Sequence, residues 1–558
     1  MKSKIVTHKF FYPILIFFIW LITYLISTKF LSSGFEWDEA KYLACAKGIA
    51  EKFDFSSRST TVLGLIKYGF PHHITHYPLH CIYLAIFFKL FGSSLSVACF
   101  ATWVSGLVTM LLIYSIVLLL IKENTPSSKL FAFCTSVTFL FLPRIINQCN
   151  SAMMEIPSCA LILFFIFIIF QNLTKGCLNP YSLAIMTAVL FFYKSLFVGV
   201  LFGSIFLLWI ICRSKELKAS KSTFSKVFLK YLITLIAIYC AFKKIIFLPF
   251  SPLMNFSGFQ EGVYGVYADF DGGFFKSPIN NLISNLGIVY KIISLGYFPK
   301  FQTYLDSQTF TGYFLASPVW LEFGVFCLTL FYVIVFLFLS KKKLSLVSKA
   351  FIAFTIASIL SFNLIFNLIV PTSLGPRCRY NLGYVPILLI SMAVLLWVNR
   401  DCFNVRSKKV FISIFLSLVF FVYVPLFNTA LFIADWNKAL TFEHISKNTE
   451  IVKTIIGKSI PDSVYFTGGT NIVWDMFPVR EIYMEVSNEQ IKRINQILPK
   501  PIDFLFLNPN NNLFKQNQEL ILKGQPIIDN CYTFHGINPE ARIVVYRFNP
   551  SNNRINNE

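Results

Sequence analysis

The chain has 558 residues, 56% of them hydrophobic and only 14% charged, and apolar runs long enough to cross a bilayer recur along it. A soluble domain cannot bury that much apolar surface, so composition excludes a soluble globular protein and reads as a polytopic membrane protein. The net charge of +22 would suggest nucleic acid in a soluble chain. Here it follows from Lys and Arg gathering in cytoplasmic loops. The 13 cysteines are scattered with no C-x-x-C pair, and read as small core residues rather than a disulfide framework.

Residues 10–30 are long enough to span, and no small-residue cleavage site follows, so they read as a retained anchor. Further spans are expected near 96–121, 129–147, 157–171, 180–194, 195–212, 227–249, 314–340, 350–370, 383–399 and 410–434, about eleven in all. Basic clusters mark alternate ends: Lys2, Lys4 and Lys9; Lys122 and Lys129; Arg213 to Lys226; Lys341 to Lys343; Arg406 to Lys409. Nearly every acid of this portion falls at the opposite ends, among them Asp38, Glu39, Glu155, Glu261, Asp306 and Glu322. The N-terminus is therefore expected in the cytoplasm and the C-terminus outside, in a plasma membrane. Residues 78–92, "PLHCIYLAIFFKLFG", are apolar but short, and are read as an interfacial or re-entrant helix, since a span there would invert every later loop. The stretch 180–212, split by Lys194, is the second place where the count could change.

Two large segments outside the membrane are expected at 31–95 and 250–313, both within a membrane module of residues 1–435. From 436 to 558 the composition changes: "SVYFTGG", "DFLFLNP" and "ARIVVYRF" are strand-like, and "SNEQIKRINQIL" is helical. That region reads as a small extracytoplasmic α/β domain.

Four stretches carry candidate chemistry. In "WDEAKYLACAKGIAEKF", Tyr42, Leu43, Ala46, Ile49, Ala50 and Phe53 recur at helical spacing, a face suited to a membrane surface, with Asp38 and Glu39 in the first turn at the water boundary. The competing reading is that these acids merely answer the helix dipole, a term of about 0.3–1 kcal/mol. In "GFPHHITHYPLH", His76 and His80 are four apart and share a helical face as a metal pair would, but spacing without a matching carboxylate is a weak signal, and binding of phosphate or sugar hydroxyls stays equally open. Glu155 begins an outward-starting span, where an ionisable group is costly unless it faces a cavity or a partner. Lys194 raises the same question, with snorkelling as its plain explanation. In "PTSLGPRCRYNLGYVP", Arg377 and Arg379 lie on the outer side against the usual charge bias. Their planar forks suit an anionic ligand, and lipid headgroup contact is the alternative. Asp269 and Asp271 precede Gly272 and Gly273 and read as a turn.

In this order the stretches resemble the GT-C class of polytopic glycosyltransferases, in the branch of protein O-mannosyltransferases and lipid A aminoarabinose transferases. "WDEAKYLACAKGIA" is similar to that family's first-loop Asp-Glu motif, "SAMMEIPSCALILFF" to its outward-starting helix with a carboxylate, and "RCRYNLGYVP" to its late arginine loop. Two departures stand out. His76, Tyr77 and Pro78 stand where the family often has Lys before a proline pair, and Glu155 stands where aspartate is usual. The resemblance implies a mainly α, polytopic GT-C fold with extracytoplasmic amphipathic helices. It also implies inverting transfer of a sugar from a polyprenyl-phosphate donor to an acceptor on the outer face. Asp38 would be the base, Glu39 and Glu155 would position it or the acceptor, and Arg377, Arg379 and Lys194, with His76 in reserve, would hold the phosphate. The donor is already activated, so no nucleotide cofactor is required, and neither phosphate-loop nor dinucleotide fingerprint is found. A divalent metal stays open. Partners would be the lipid-linked donor, a glycan, lipid or protein acceptor, and membrane lipids, with no nucleic acid. A secondary transporter or lipid flippase is the main rival, and a non-catalytic scaffold of an envelope-assembly complex the second. Transporters place their ionisable groups near the midplane between related halves, whereas the candidates here cluster at one face.

Overall fold

A computed structural model describes residues 10–30, 37–54, 59–61, 78–175, 179–193, 197–213, 224–247, 343–369, 382–400, 464–467, 480–483, 488–498, 501–507, 512–525, 531–538 and 543–549, with isolated positions within 330–340 and 450–455. Two units are distinguished. One comprises Met1–Ser33, Cys99–Ile245 and Tyr264–Asn437; the other comprises Gly34–Ala98, Ile246–Val263 and Lys438–Glu558.

The first unit is built from helices. In chain order they are α1 (Phe11–Phe30), then, after α2 and α3 of the other unit, α4 (Leu95–Ile121), α5 (Pro126–Leu140), α6 (Pro143–Cys149), α7 (Glu155–Thr174), α8 (Pro180–Tyr193), α9 (Phe197–Arg213), α10 (Phe224–Phe247), α11 (Leu346–Ile369), a 3₁₀ turn (Leu382–Tyr384) and α12 (Val385–Val398). Among the described residues five helices are long and apolar enough to cross a membrane: Phe11–Thr28, Leu95–Ile121, Glu155–Thr174, Phe224–Ala241 and Leu346–Leu364. Shorter apolar helices lie at Pro180–Leu190, Gly199–Arg213 and Leu382–Val398. The expected span 410–434 and most of 314–340 lie outside the described residues.

One expected span is corrected. Residues 129–147 do not form a single helix, because α5 stops at Leu140 and α6 begins at Pro143. A proline has no N–H to give the carbonyl four residues back, its ring clashes there, and the residue before it is pushed out of the helical region. The start also moves, since Thr125 and Ser128 form a reciprocal cap: Ser128 N–H donates to Thr125 Oγ1 at 3.2 Å and Thr125 N–H to Ser128 Oγ at 2.9 Å.

Helices α9 and α11 are packed closely. Gly199 and Gly203 recur four apart on α9, and a Cβ on either would run into α11, at Gly199 into the Ser358 carbonyl and at Gly203 into the Ser358 hydroxyl and the Phe354 ring. This is the small-residue seam by which helices in lipid gain packing when the hydrophobic effect offers nothing between them. Hydroxyls join neighbouring helices as well: Thr187 of α8 and Tyr231 of α10 share a bond of 3.0 Å, and Ser391 of α12 donates to Thr355 of α11 at 3.2 Å.

Contacts at the helix ends show how the helices alternate. At one end the Ser348 hydroxyl donates to the Leu120 carbonyl at 2.9 Å, Asn399 donates to Ser340, and Arg400 Nη1 reaches both oxygens of Glu123 at 2.9 and 3.0 Å. The Arg400 guanidinium also lies 4.3 Å from the centre of the Trp397 ring. The first turns of α7 and α9 and the start of α12 meet at the opposite end, as strict alternation through α8 requires.

The second unit contains α2 (Trp37–Lys52), α3 (Pro78–Phe91) and a six-stranded sheet. Helix α3 has 14 residues, a length of about 21 Å that falls short of a bilayer core. It packs on α2 and ends at Gly92, whose φ of +89° is a left-handed stop that favours glycine. The face of α2 expected on the membrane surface is instead buried inside the protein at Tyr42, Leu43, Ala46 and Ile49, and only Phe53, at 71% exposed, stands out.

The sheet strands are β1 (Ser59–Thr61), β2 (Val464–Thr467), β3 (Arg480–Tyr483), β4 (Phe504–Leu507), β5 (Tyr532–Asn538) and β6 (Ile543–Phe548), in spatial order β1-β3-β2-β4-β6-β5. The first four are parallel, while β6 runs antiparallel to both β4 and β5. The crossover from β3 to β4 carries α13 (Asn488–Ile497), as the amphipathic pattern there predicts, and α14 (Asn512–Gln516) and α15 (Gln518–Leu522) follow β4. Strand β1 comes from the first loop: Thr60 pairs with Ile482 some 400 residues on, a partnership that strand propensity does not reveal. All four residues of β4 are buried, as a central strand covered on both faces requires.

Tyr532 and Tyr546 are buried in this unit at 1% and 0% exposed. The Tyr532 hydroxyl accepts from Asn495 Nδ2 and donates to the Ile502 carbonyl, both at 3.0 Å, whereas the Tyr546 hydroxyl has no hydrogen-bond partner among the described residues. Burial raises both phenol pKa values above the ordinary value of 10.0. The folded state therefore keeps protons that the unfolded chain releases once pH passes its own phenol pKa, so stability is full below about pH 10 and declines above it. Thermal unfolding of the full chain at pH 8 and pH 10.5, followed by amide exchange at residues 531–549, is expected to show this loss. Tyr546→Phe, which removes a buried hydroxyl without a partner, should be neutral or stabilising and should reduce the loss.

Candidate active site

Glu155 is the first residue of α7 and is 1% exposed. Asn150, Ser151, Ala152, Met153 and Met154 before it are buried too, and side chains of two other helices fix them. Trp103 Nε1 of α4 donates to Asn150 Oδ1 at 2.9 Å, and Asn150 Nδ2 donates to Ser27 Oγ of α1 at 2.5 Å. Trp20 Nε1 donates to the Trp103 carbonyl at 2.8 Å, and the Cys99 thiol to the Asn150 carbonyl at 3.3 Å. Asn150 thus ties α1, α4 and the lead-in to Glu155 through both ends of one amide. Helix α4 approaches closely here, where a Cβ on Gly106 would stand 3.2 Å from Cys149 Sγ and 3.9 Å from Ile156.

A carboxylate in this first turn is favoured by the free amides and partial positive charge of a helix start. Taking it out of water is costly, which is why such groups in membrane proteins mark partners or substrates. Gln148, 4% exposed, adds a buried Oε1 with no hydrogen-bond partner among the described residues. Sequence reading singled out Glu155 but missed Trp103, Gln148 and Asn150, although the polar run "NQCNS" between apolar stretches was a signal. Asn150→Ala strands the buried Trp103 N–H and the Ser27 hydroxyl. A loss of about 1–3 kcal/mol for each stranded group is expected, read as a lower unfolding temperature in nanodiscs.

In the other unit Asp38 lies in the first turn of α2. Glu39, expected at the water boundary, is instead 0% exposed. The reason is periodicity: Glu39, Tyr42, Leu43 and Ala46 share one helical face, and Tyr42 presses edge-on against His80 of α3, with ring centroids 5.0 Å apart and planes at 88°. His80 is 0% exposed as well, packed as a core ring. Among the described residues no group of three or more His, Cys, Asp and Glu is placed to hold a metal ion. His76, Lys194, Arg377 and Arg379 lie outside the described residues, as do Asp269 and Asp271.

No family model matches the chain, and no curated protein matches its sequence. Solved structures do resemble it in fold. The crystal structure of ArnT, a lipid A aminoarabinose transferase, from Cupriavidus metallidurans bound to undecaprenyl phosphate aligns with a TM-score of 0.57 at 12% identity, over 98% of this chain and 99% of that one. The GT-C fold is the one this chain has. The apo form of the same protein aligns with a TM-score of 0.53 at 11% identity, over 97% and 98% of the two chains. Both alignments run over nearly the full length of each chain.

Proposed function

We propose that the protein is a membrane glycosyltransferase that moves a sugar from a polyprenyl-phosphate carrier to a hydroxyl acceptor on the extracytoplasmic face, with inversion. The observation that carries this reading is the full-length likeness in fold to an ArnT structure that holds undecaprenyl phosphate. The buried carboxylate at the start of α7 adds chemical support. The acceptor oxygen attacks the anomeric carbon, the bond from that carbon to the phosphate oxygen breaks, and its electron pair leaves with the polyprenyl phosphate. Asp38 takes the acceptor proton. Glu39, buried on the face of α2 that also carries Tyr42, holds α2 so that the turn bearing Asp38 keeps its place, and Glu155 orients the acceptor. Arg377, Arg379 and Lys194, with His76 in reserve, neutralise the departing phosphate, where charged donors do most of their work in a dry site.

The same reading places the protein as a multi-pass component of a plasma membrane, with the N-terminus in the cytoplasm and the C-terminal sheet outside. It treats residues 1–435 as the catalytic module and 436–558 as the appended domain, with the first loop lending strand β1 to that domain's sheet. The test uses purified protein in lipid nanodiscs, offered polyprenyl phosphates carrying different sugars with envelope extract as acceptor, with and without added divalent cation. Release of polyprenyl phosphate, read by mass spectrometry, is expected with one donor sugar. Consumption of none of them would hand the chain to the transporter reading.

A further inference from the structure

Gln148 lies on α6, one residue before its end at Cys149, and is 4% exposed. Its Oε1 is buried without a hydrogen-bond partner among the described residues. The polar side chains that follow it are satisfied: Asn150 is bonded at both ends of its amide, and the Ser151 hydroxyl donates to the Gln148 carbonyl at 2.9 Å. Leaving a buried acceptor unpaired costs more than a typical hydrogen bond returns, and a methionine of similar length would remove that cost. The Ser358 hydroxyl and the Trp397 N–H also lack a partner among the described residues. Ser358 sits within a helix, where its Oγ can turn onto a carbonyl of the preceding turn, and Trp397 lies at the opposite end of the helices, beside Arg400 and Glu123. Gln148 instead stands at the lead-in to the candidate carboxylate.

Ser151 folds back on Gln148, its N–H also directed at the Gln148 carbonyl at 3.4 Å, and Glu155 follows four residues after Ser151. Four residues of chain reach at most about 14 Å, so the amide and the carboxylate belong to the same end of the helices. A carboxylate and an unpaired carbonyl oxygen both repel an anion, which makes phosphate the wrong ligand for this spot. A hydroxyl fits. It donates to Oε1, and if the amide turns over it accepts from Nε2.

We propose that Gln148 is a specificity-determining residue whose buried amide binds a sugar hydroxyl, from the lipid-linked donor or from a glycan acceptor, at the turn that leads to Glu155. This rests on the transferase reading above. A substrate with that hydroxyl supplies the missing partner, and one without it leaves the amide unpaired and is rejected, as sites built to hydrogen-bond a hydroxyl do.

Gln148→Met keeps the length of the side chain and removes both amide atoms. In nanodiscs it would be compared with wild type for unfolding temperature, for undecaprenyl phosphate affinity, and for transfer from the polyprenyl-phosphate sugar that wild type consumes, titrated in donor and separately in envelope extract. The unfolding temperature is expected to match or exceed that of wild type, because an unpaired buried acceptor has gone. Undecaprenyl phosphate affinity should stay unchanged, since that ligand carries no sugar, while kcat/KM falls about tenfold, the size expected for one buried hydrogen bond. A raised KM for the donor assigns the hydroxyl to the donor sugar, and a raised KM for the extract assigns it to the acceptor. Unchanged transfer would leave Gln148 as the partner of a buried water and overturn the proposal. A lower unfolding temperature together with weaker undecaprenyl phosphate binding would mark a structural role and overturn it as well. If wild type itself consumes no donor, the transferase reading falls and takes the proposal with it.

Discussion

Asp38→Asn is expected to lower sugar transfer by roughly 10²–10⁴-fold, the range that a positioned general base contributes, and to leave undecaprenyl phosphate affinity unchanged. The amide nearly matches the carboxylate in shape, so the first turn of α2 keeps its length and its place. What disappears is the ability to accept the acceptor's proton as its oxygen attacks. A loss confined to the chemical step lowers kcat and kcat/KM together, whereas a loss of uniform binding raises KM alone. Single-turnover release of polyprenyl phosphate separates the two. Full activity in Asp38→Asn would remove Asp38 from the base role, and Glu155→Gln in the same assay would show whether the other candidate carboxylate carries it.

The largest effect on stability is expected from Gly199→Ala. The added methyl meets a backbone carbonyl on α11 and the Tyr384 hydroxyl, and a backbone atom cannot swing aside, so α9 and α11 must separate. Overpacking of this kind costs about 1–3 kcal/mol, and parting the seam forfeits van der Waals contact along it, which is the chief attraction between helices in lipid. Gly203→Ala should cost less, since its first obstacle is the Ser358 hydroxyl, and Ser358→Ala should recover part of that loss. Unfolding temperatures of the single and double variants form a cycle whose coupling term reports the contact. Additive values for Gly203→Ala and Ser358→Ala would mean that the two residues do not press on each other.

Much of this molecule was legible before any coordinates. Span length and charge alternation are properties of consecutive residues, and they located helices at Phe11–Phe30, Leu95–Ile121, Glu155–Thr174, Phe224–Phe247 and Leu346–Ile369. The break at Pro143 was legible too, because proline acts on its own neighbours, and the expected span at 129–147 passed over it. Three strands and one helix of the C-terminal region follow from their own periodicity. Glu39 shows where such reading stops: its place in the first turn was correct, but its burial depended on α3 packing against the same face.

Sequence by itself determined a membrane chain of alternating helices with an appended α/β region and the identity of its candidate carboxylates, since hydrophobicity, charge and periodicity act over a few residues. Only tertiary structure decided that Thr60 pairs with Ile482, that Asn150 ties two helices to the turn before Glu155, and that Cys159, Gly199, Ser358 and Tyr384 converge. Those outcomes depend on shape and hydrogen-bond matching between helices far apart in the chain, and no local pattern encodes a partner's position.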